Sequence, residues 1–317
     1  MNLIITSICN KNCSFCFASN KDKKEEMSLD EIKEIVTKLR PHEDIKLIGG
    51  EPTLYDNIEQ LLDFLENVPN HVTIISNFLI YKENTRDAIK KFVEKRRDVT
   101  FLLNVSELTD KQFETVINNI NYITDNKSVC LGFTIDITRD VEEYEKTIKN
   151  IFDSTENKVS SLRVSVPFPN FSNGNYKENS FYLYGDFRYA DMMEELIKFG
   201  LTLDLFTSID CGIFPCMLRD ERQEKYLKER VKDFNLGCRG GAFDVFSKKK
   251  ASLCYPGNFI EVNLEKHDNA DSAFEELLLK KRYQYAIKDN LPKECTTCKY
   301  LNNKCEGPCL GFVKIGE

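Results

Sequence analysis

The sequence predicts an α/β protein: a partial barrel of about six βα units over residues 1–206, followed by a small cysteine-rich domain over residues 207–317. Three observations carry this. From Asn2 to about Phe206, short β-branched runs alternate with segments of helical periodicity, the pattern of a parallel sheet with crossover helices. Beyond Phe206 that alternation weakens. Of the twelve cysteines in the 317-residue chain, three crowd together at Cys9, Cys13 and Cys16, one stands alone at Cys130, and eight fall between Cys211 and Cys309.

The elements follow in order. "LIIT" is the first strand. Ser28 and Glu31 form a capping box for a helix whose apolar face is Leu29, Ile32, Ile35, Val36 and Leu39. The strand "IKLIGG" comes next, then a helix through Ile58, Leu61, Leu62 and Leu65. "VTIISN" and a helix through Ala88, Ile89, Phe92 and Val93 make the third unit. "TFLLNV" with Phe113, Val116 and Ile117, and "CLGFTID" with Tyr144, Ile148 and Ile151, make the fourth and fifth, and "SLRVSV" is the sixth strand. A helix near Met192 to Phe199, stopped by Gly200, leads to a candidate seventh strand, "LTLDLF". The stretch from Pro167 to Asp186, rich in Asn, Ser, Gly, Phe and Tyr, reads as a long loop at the C-terminal end of the sheet, placed to cover a substrate or simply pinned by its own aromatics.

Bulk composition excludes several classes. A net charge of -7 without a basic stripe argues against nucleic acid as the main partner, and Lys248 to Lys250 read as a solvated turn. No signal-peptide pattern and no apolar stretch of the ~18 residues a membrane span needs are present, so the reading is cytoplasmic. In a reducing compartment twelve cysteines point to metal ligation rather than disulfides.

Cys9, Cys13 and Cys16 are spaced C-x3-C-x2-C on the loop after the first strand, the catalytic end of a barrel. Three such thiolates suit three irons of a cubane, whereas a zinc site would want a fourth ligand nearby. With Phe15 just before the last cysteine, and Gly49, Gly50, Glu51 and Pro52 after the second strand, the sequence resembles the radical SAM superfamily. The resemblance implies a 4Fe-4S cluster that binds S-adenosylmethionine and cleaves it to a 5'-deoxyadenosyl radical, with Gly49 to Pro52 beside the cofactor's methionine. It further implies cofactor contacts at Asn104 on the fourth strand and at Ser76 and Asn77, where Phe78 replaces the family's glycine. Thr134, Asp136 and Arg163 are additional candidates for the ribose or carboxylate. Cys130, inside an apolar strand, reads as a buried inert thiol.

The second group contains Cys295, Cys298, Cys305 and Cys309, preceded by Cys238 and Cys254. It resembles the SPASM or twitch extension of radical SAM enzymes, which holds auxiliary 4Fe-4S clusters. The tail spacing is one residue longer than usual, Lys249 stands where a glycine is expected, and no cysteine follows Cys309. Cys211 and Cys216 restore eight thiolates, enough for two clusters. One auxiliary cluster, or a zinc ribbon on Cys295, Cys298, Cys305 and Cys309, are the alternatives.

The resemblance then implies abstraction of a substrate hydrogen, followed by oxidation through the auxiliary clusters with a flavodoxin or ferredoxin as reductant. A maturase of a ribosomal peptide, installing a crosslink or a dehydrogenation, is the leading expectation. Because eight residues precede Cys9, a separate recognition protein, or a substrate without a long leader, is expected. An oxidoreductase acting on a small molecule, such as an amino-sugar or cofactor precursor, is the alternative, and a non-enzymatic iron-sulfur sensor or electron carrier a third. Cys211, Cys216 and Asp210 are the candidate catalytic residues, with Asp244 a further proton acceptor or iron ligand. His42, His71 and His267 lie beside no motif.

Overall fold

A computed structural model describes the chain apart from residues 17, 19–23, 40–42, 125–128, 157, 168–185, 212, 239–242 and 314–317. The aromatic-rich loop after the sixth strand and His42 thus lie outside the described residues.

Six parallel strands and their helices form where the periodicity places them. They are β1 (Asn2–Thr6), α1 (Leu29–Thr37), β2 (Ile45–Gly49), α2 (Ile58–Leu65), β3 (Val72–Ser76), α3 (Glu83–Lys95), β4 (Val99–Asn104), α4 (Asp110–Ile123), β5 (Val129–Thr134), α5 (Val141–Ser154) and β6 (Val159–Ser165). After α6 (Arg188–Thr202), β7 (Phe206–Ile209) pairs in parallel with β6. Leu3, Ile5, Leu47, Ile74, Phe101, Leu103, Leu131 and Leu162 are buried under the helices. The alternate positions Ile4, Ile48, Ile75, Leu102, Cys130 and Arg163 face the concave side and are half-buried. This is a partial barrel followed by a cysteine-rich region, as the sequence predicts.

Four local expectations change. The seventh strand begins at Phe206, because α6 runs on through Thr202. Gly200 does not stop that helix. It is buried inside it, and a Cβ there would lie 2.9 Å from Leu162 Cδ2 and 3.2 Å from Thr207 Cγ2, so the glycine lets α6 press onto β6 and β7. Ser28 caps α1 by accepting the Glu31 N–H, but the Glu31 carboxylate accepts the Lys249 N–H at 2.6 Å, a longer-range partner. Lys249 is not solvated either: its ammonium bridges Glu34 (2.7 Å) and Glu265 (3.1 Å).

Past β7 comes α7 (Glu221–Arg230), and then β8 (Asp244–Phe246), β9 (Lys250–Ser252) and β10 (Glu261–Asn263) extend the same sheet. The strand order is β10-β9-β8-β1-β2-β3-β4-β5-β6-β7, so β8 lies parallel beside β1, and β8 and β9 form an antiparallel hairpin between Cys238 and Cys254. α8 (Ala270–Ala286) packs across β9 and β10.

At both positions where the family resemblance expects glycine, the residue present keeps a glycine-like backbone. Phe78 has φ +58° and Lys249 φ +55°. A left-handed non-glycine residue costs roughly 1–2 kcal/mol, which the burial of Phe78 against Phe101 (ring centroids 5.3 Å apart) offsets.

Gly50 is under a harder constraint than Gly200. A Cβ on Gly50 would lie 2.3 Å from the Ile8 carbonyl oxygen, a backbone atom held by the Glu51 N–H at 2.7 Å. Gly50→Ala is therefore expected to lower stability by roughly 3 kcal/mol or more, and Gly200→Ala, which meets movable side-chain ends, by about 1 kcal/mol. Urea unfolding midpoints of the two variants check the ordering.

Candidate cluster and cofactor site

The C-terminal ends of β1 to β4 converge on the loop that carries Cys9, Cys13 and Cys16. Gly50 N–H donates to Thr6 O (2.7 Å), and a Cβ on Gly49, whose φ is +156°, would lie 2.3 Å from that same oxygen. The glycine pair thus lets the root of the cysteine loop lie directly on the end of β2. Farther out, Asn10 donates to Leu79 O (3.0 Å) and accepts from Asn77 Nδ2 (2.8 Å). The Lys11 ammonium donates to Ser106 O (2.6 Å), while Ser14 N–H and Oγ both donate to the Glu107 carboxylate.

These contacts stretch the loop across the barrel mouth and bring the three thiols within one another's electrostatic reach. Burial pushes the Cys13 thiol up to about 11, against the pull of Lys11, so the metal itself would have to drive its ionisation. Three mutually near thiols on a pinned loop fit a cluster that takes one thiolate per iron. Among the described residues, no group of three or more His, Cys, Asp or Glu side chains could hold a single metal ion.

Glu51 follows the glycines and is 1% exposed. Its Oε1 accepts from Thr53 N–H (3.1 Å), Thr53 Oγ1 (2.8 Å) and Ser76 Oγ (2.7 Å), and its Oε2 from Asn77 N–H (2.7 Å). Burial pushes its pKa up against the pull of these donors. The carboxylate thereby ties the end of β2 to the end of β3. Ser76 and Asn77 belong to the same network: Ser76 Oγ accepts from Phe78 N–H (2.8 Å), and Asn77 Oδ1 from Leu79 N–H (2.9 Å).

The other predicted contacts are distributed around the rim. Asn104 ends β4 on the concave side, its Oδ1 accepting Ser106 N–H at 3.3 Å. Thr134 shares a hydroxyl contact of 3.0 Å with Ser165. Asp136 accepts from Thr138 N–H and Oγ1, holding a turn before α5. Arg163 reaches across to the Asp210 carboxylate at the end of β7. Cys130 is half-buried on the concave face rather than fully buried, with burial pushing its thiol up.

The eight later cysteines divide. Burial raises the thiols of Cys254, Cys309 and Cys211, and the neighbouring groups that add to this include Cys309 and Cys238 at Cys254, Cys238 and Cys211 at Cys309, and Asp210, Cys254 and Cys238 at Cys211. These four form one group beside β8 and β9. The Cys298 N–H donates to Cys295 O at 3.1 Å and Cys305 pairs with Leu301, so Cys295, Cys298 and Cys305 share one turn, with Cys238 as well as Cys298 acting on the Cys305 thiol. Cys216 sits in the turn Pro215–Met217, packed on the core. Cys309 is buried, and Cys238 and Cys211 act on its thiol.

Asp244 lies between the two regions, 5% exposed on β8, accepting from Asn2 Nδ2 at 2.7 Å. Burial raises its pKa from 3.8 to about 7. The folded chain thus holds a proton that the unfolded chain has released, so stability falls as pH rises from about 4 to about 7 and levels off above. Asp244→Asn, which keeps an acceptor for Asn2, is expected to flatten that decline in urea unfolding followed across this range.

The anchoring residues Asn10, Lys11, Ser14 and Glu107 are absent from the sequence-based set. Their partners lie 67 to 95 positions away in the chain, and Asn10, Lys11 and Ser14 occupy only the variable positions of the cysteine motif.

Residues 3–154, which carry this loop and the glycine pair, match the profile of the Radical SAM superfamily. The solved structure of Streptococcus suis SuiB bound to precursor peptide SuiA superposes with a TM-score of 0.65 at 16% identity, covering 98% of this chain and 70% of that one. SuiB bound to S-adenosylmethionine gives 0.65 at 21%, covering 97% and 72%. The chain is thus similar in fold to SuiB along nearly its whole length. Among curated relatives, the sporulation killing factor maturation protein SkfB of Bacillus subtilis is 34% identical over 84 residues, 26% of this chain and only 20% of that protein. The 7-carboxy-7-deazaguanine synthase of Clostridium acetobutylicum is 26% identical over 170 residues, 52% of this chain and 71% of that one.

Proposed function

We propose that the protein cleaves S-adenosylmethionine reductively and abstracts a hydrogen atom from a peptide, as a maturase that leaves the peptide crosslinked or dehydrogenated. One observation carries this reading: a single sheet joins the pinned three-cysteine loop to a four-thiol group, in a fold that matches SuiB, whose structure holds a precursor peptide, over 98% of the chain. A 4Fe-4S cluster on Cys9, Cys13 and Cys16 would supply the electron for cofactor cleavage. Around it, Asn10, Lys11 and Ser14 fix the loop, Gly49 and Gly50 bring the backbone close, and Asn104, Thr134 and Arg163 face the space where ribose and carboxylate would lie. Cys211, Cys238, Cys254 and Cys309 would hold an auxiliary cluster that takes the electron left on the substrate radical. Cys295, Cys298 and Cys305, with Cys216 as a candidate fourth ligand, would hold a second. On this reading residues 1–206 supply the radical and residues 207–317 the oxidant, in a cytoplasmic enzyme served by a flavodoxin or ferredoxin. Among the described residues no helix is long and apolar enough to cross a membrane.

The test is anaerobic reconstitution followed by incubation with S-adenosylmethionine, reductant and any short peptide encoded beside the gene. The proposal expects 5'-deoxyadenosine together with a peptide lighter by two hydrogens. 5'-Deoxyadenosine without any change in that peptide, and with turnover of a small molecule, would favour the oxidoreductase reading, which the likeness to 7-carboxy-7-deazaguanine synthase over half the chain supports.

A further inference from the structure

Lys281 is the one residue of α8 whose burial is at odds with its charge. The side chain is 4% exposed, its ammonium donates to the Cys238 carbonyl, and it stacks on the Tyr285 ring with 5.2 Å to the centroid. Among the described residues it has no carboxylate partner. The α8 carboxylates Glu275 and Glu276 do not answer it: Glu276 pairs with Lys280 and His267.

A buried ammonium with one neutral acceptor is costly unless a negative charge lies beside it. The backbone it grips belongs to Cys238, and Cys309 is a thiol on which its charge acts. Tyr285 closes the same wall, its hydroxyl donating to Pro308 O at 2.5 Å while its ring fills the space a Cβ on Gly307 would need. Resting on the cluster reading above, we propose that Lys281 is the counter-cation of the auxiliary cluster held by Cys211, Cys238, Cys254 and Cys309, and that it raises that cluster's reduction potential. Four thiolates around a 4Fe-4S core carry two negative charges when oxidised and three when one electron has been added. A fixed cation in a site poor in water favours the more negative state, so Lys281 draws the electron from the substrate side onto the cluster. It is a positioning residue, acting through the cluster and not on the substrate.

The experiment is a potentiometric titration followed by electron paramagnetic resonance, on full-length protein reconstituted anaerobically in a Cys9→Ala, Cys13→Ala, Cys16→Ala background. The signal scored is the one that Cys309→Ala removes. Lys281→Met, similar in volume and neutral, is expected to lower the equilibrium constant for one-electron reduction at least tenfold, a shift of about 59 mV to lower potential. Lys281→Arg keeps the charge and should titrate with the parent. A Lys281→Met midpoint equal to the parent's overturns the proposal. If Lys281→Met loses the iron outright, Lys281→Arg decides: full iron with the parent midpoint supports the charge, and equal loss of iron counts against it. A parent protein with no signal that depends on Cys309 refutes the auxiliary-cluster reading itself.

Discussion

Cys13→Ala is expected to reduce 5'-deoxyadenosine formation to background, with S-adenosylmethionine and reductant present, while leaving the fold intact. Each of Cys9, Cys13 and Cys16 would hold a different iron, so no neighbouring thiol can stand in for the missing one. The variant should also contain about four fewer irons per chain after reconstitution, the content of one cubane. Cys130→Ala is the matching control: its thiol lies on the concave face of β5, away from the loop, and its loss should leave both readings near the wild-type level. Cofactor cleavage that survives in Cys13→Ala would remove the assignment of the loop as the catalytic cluster.

Glu51→Ala should have the largest effect on stability of any side-chain truncation at the barrel mouth, roughly 3–5 kcal/mol. It strands the N–H groups of Thr53 and Asn77, which are fixed in the backbone, and two hydroxyls besides. Glu51→Gln keeps the shape but turns one acceptor into a donor, facing either Asn77 N–H or the three donors on the other oxygen, and should cost about half as much. Urea unfolding separates the three proteins. If Glu51→Ala unfolds at the wild-type urea concentration, the carboxylate does not clamp β2 to β3.

Much of this architecture is legible in the sequence because the signals are local. The faces of α1 to α5 and the six strands appear as 3.6- and 2-residue periods, and the cysteine and glycine motifs stand at fixed short spacings. What stays hidden is set by distant partners. Gly200 looks like a helix stop until Leu162 and Thr207 are seen against it. The engagement of the Glu51 carboxylate with β3 is another such long-range contact. The grouping of Cys309 with Cys211, Cys238 and Cys254 spans nearly 100 residues, and no spacing rule within "CTTCKYLNNKCEGPC" separates it from its neighbours.

The pairing of β8 with β1 has a consequence for rate. β1 leads directly into Cys9, and β8 is flanked in sequence by Cys238 and Cys254, so one strand pair sets the spacing between the two candidate redox centres. Tunnelling probability falls steeply with separation, and a hinge between the centres would make the transfer wait for closure. On the proposed reading, Asn2 to Asp244 and Leu3 to Val245 pairing within one sheet would hold that gap, so transfer between the centres would need no domain motion to gate it.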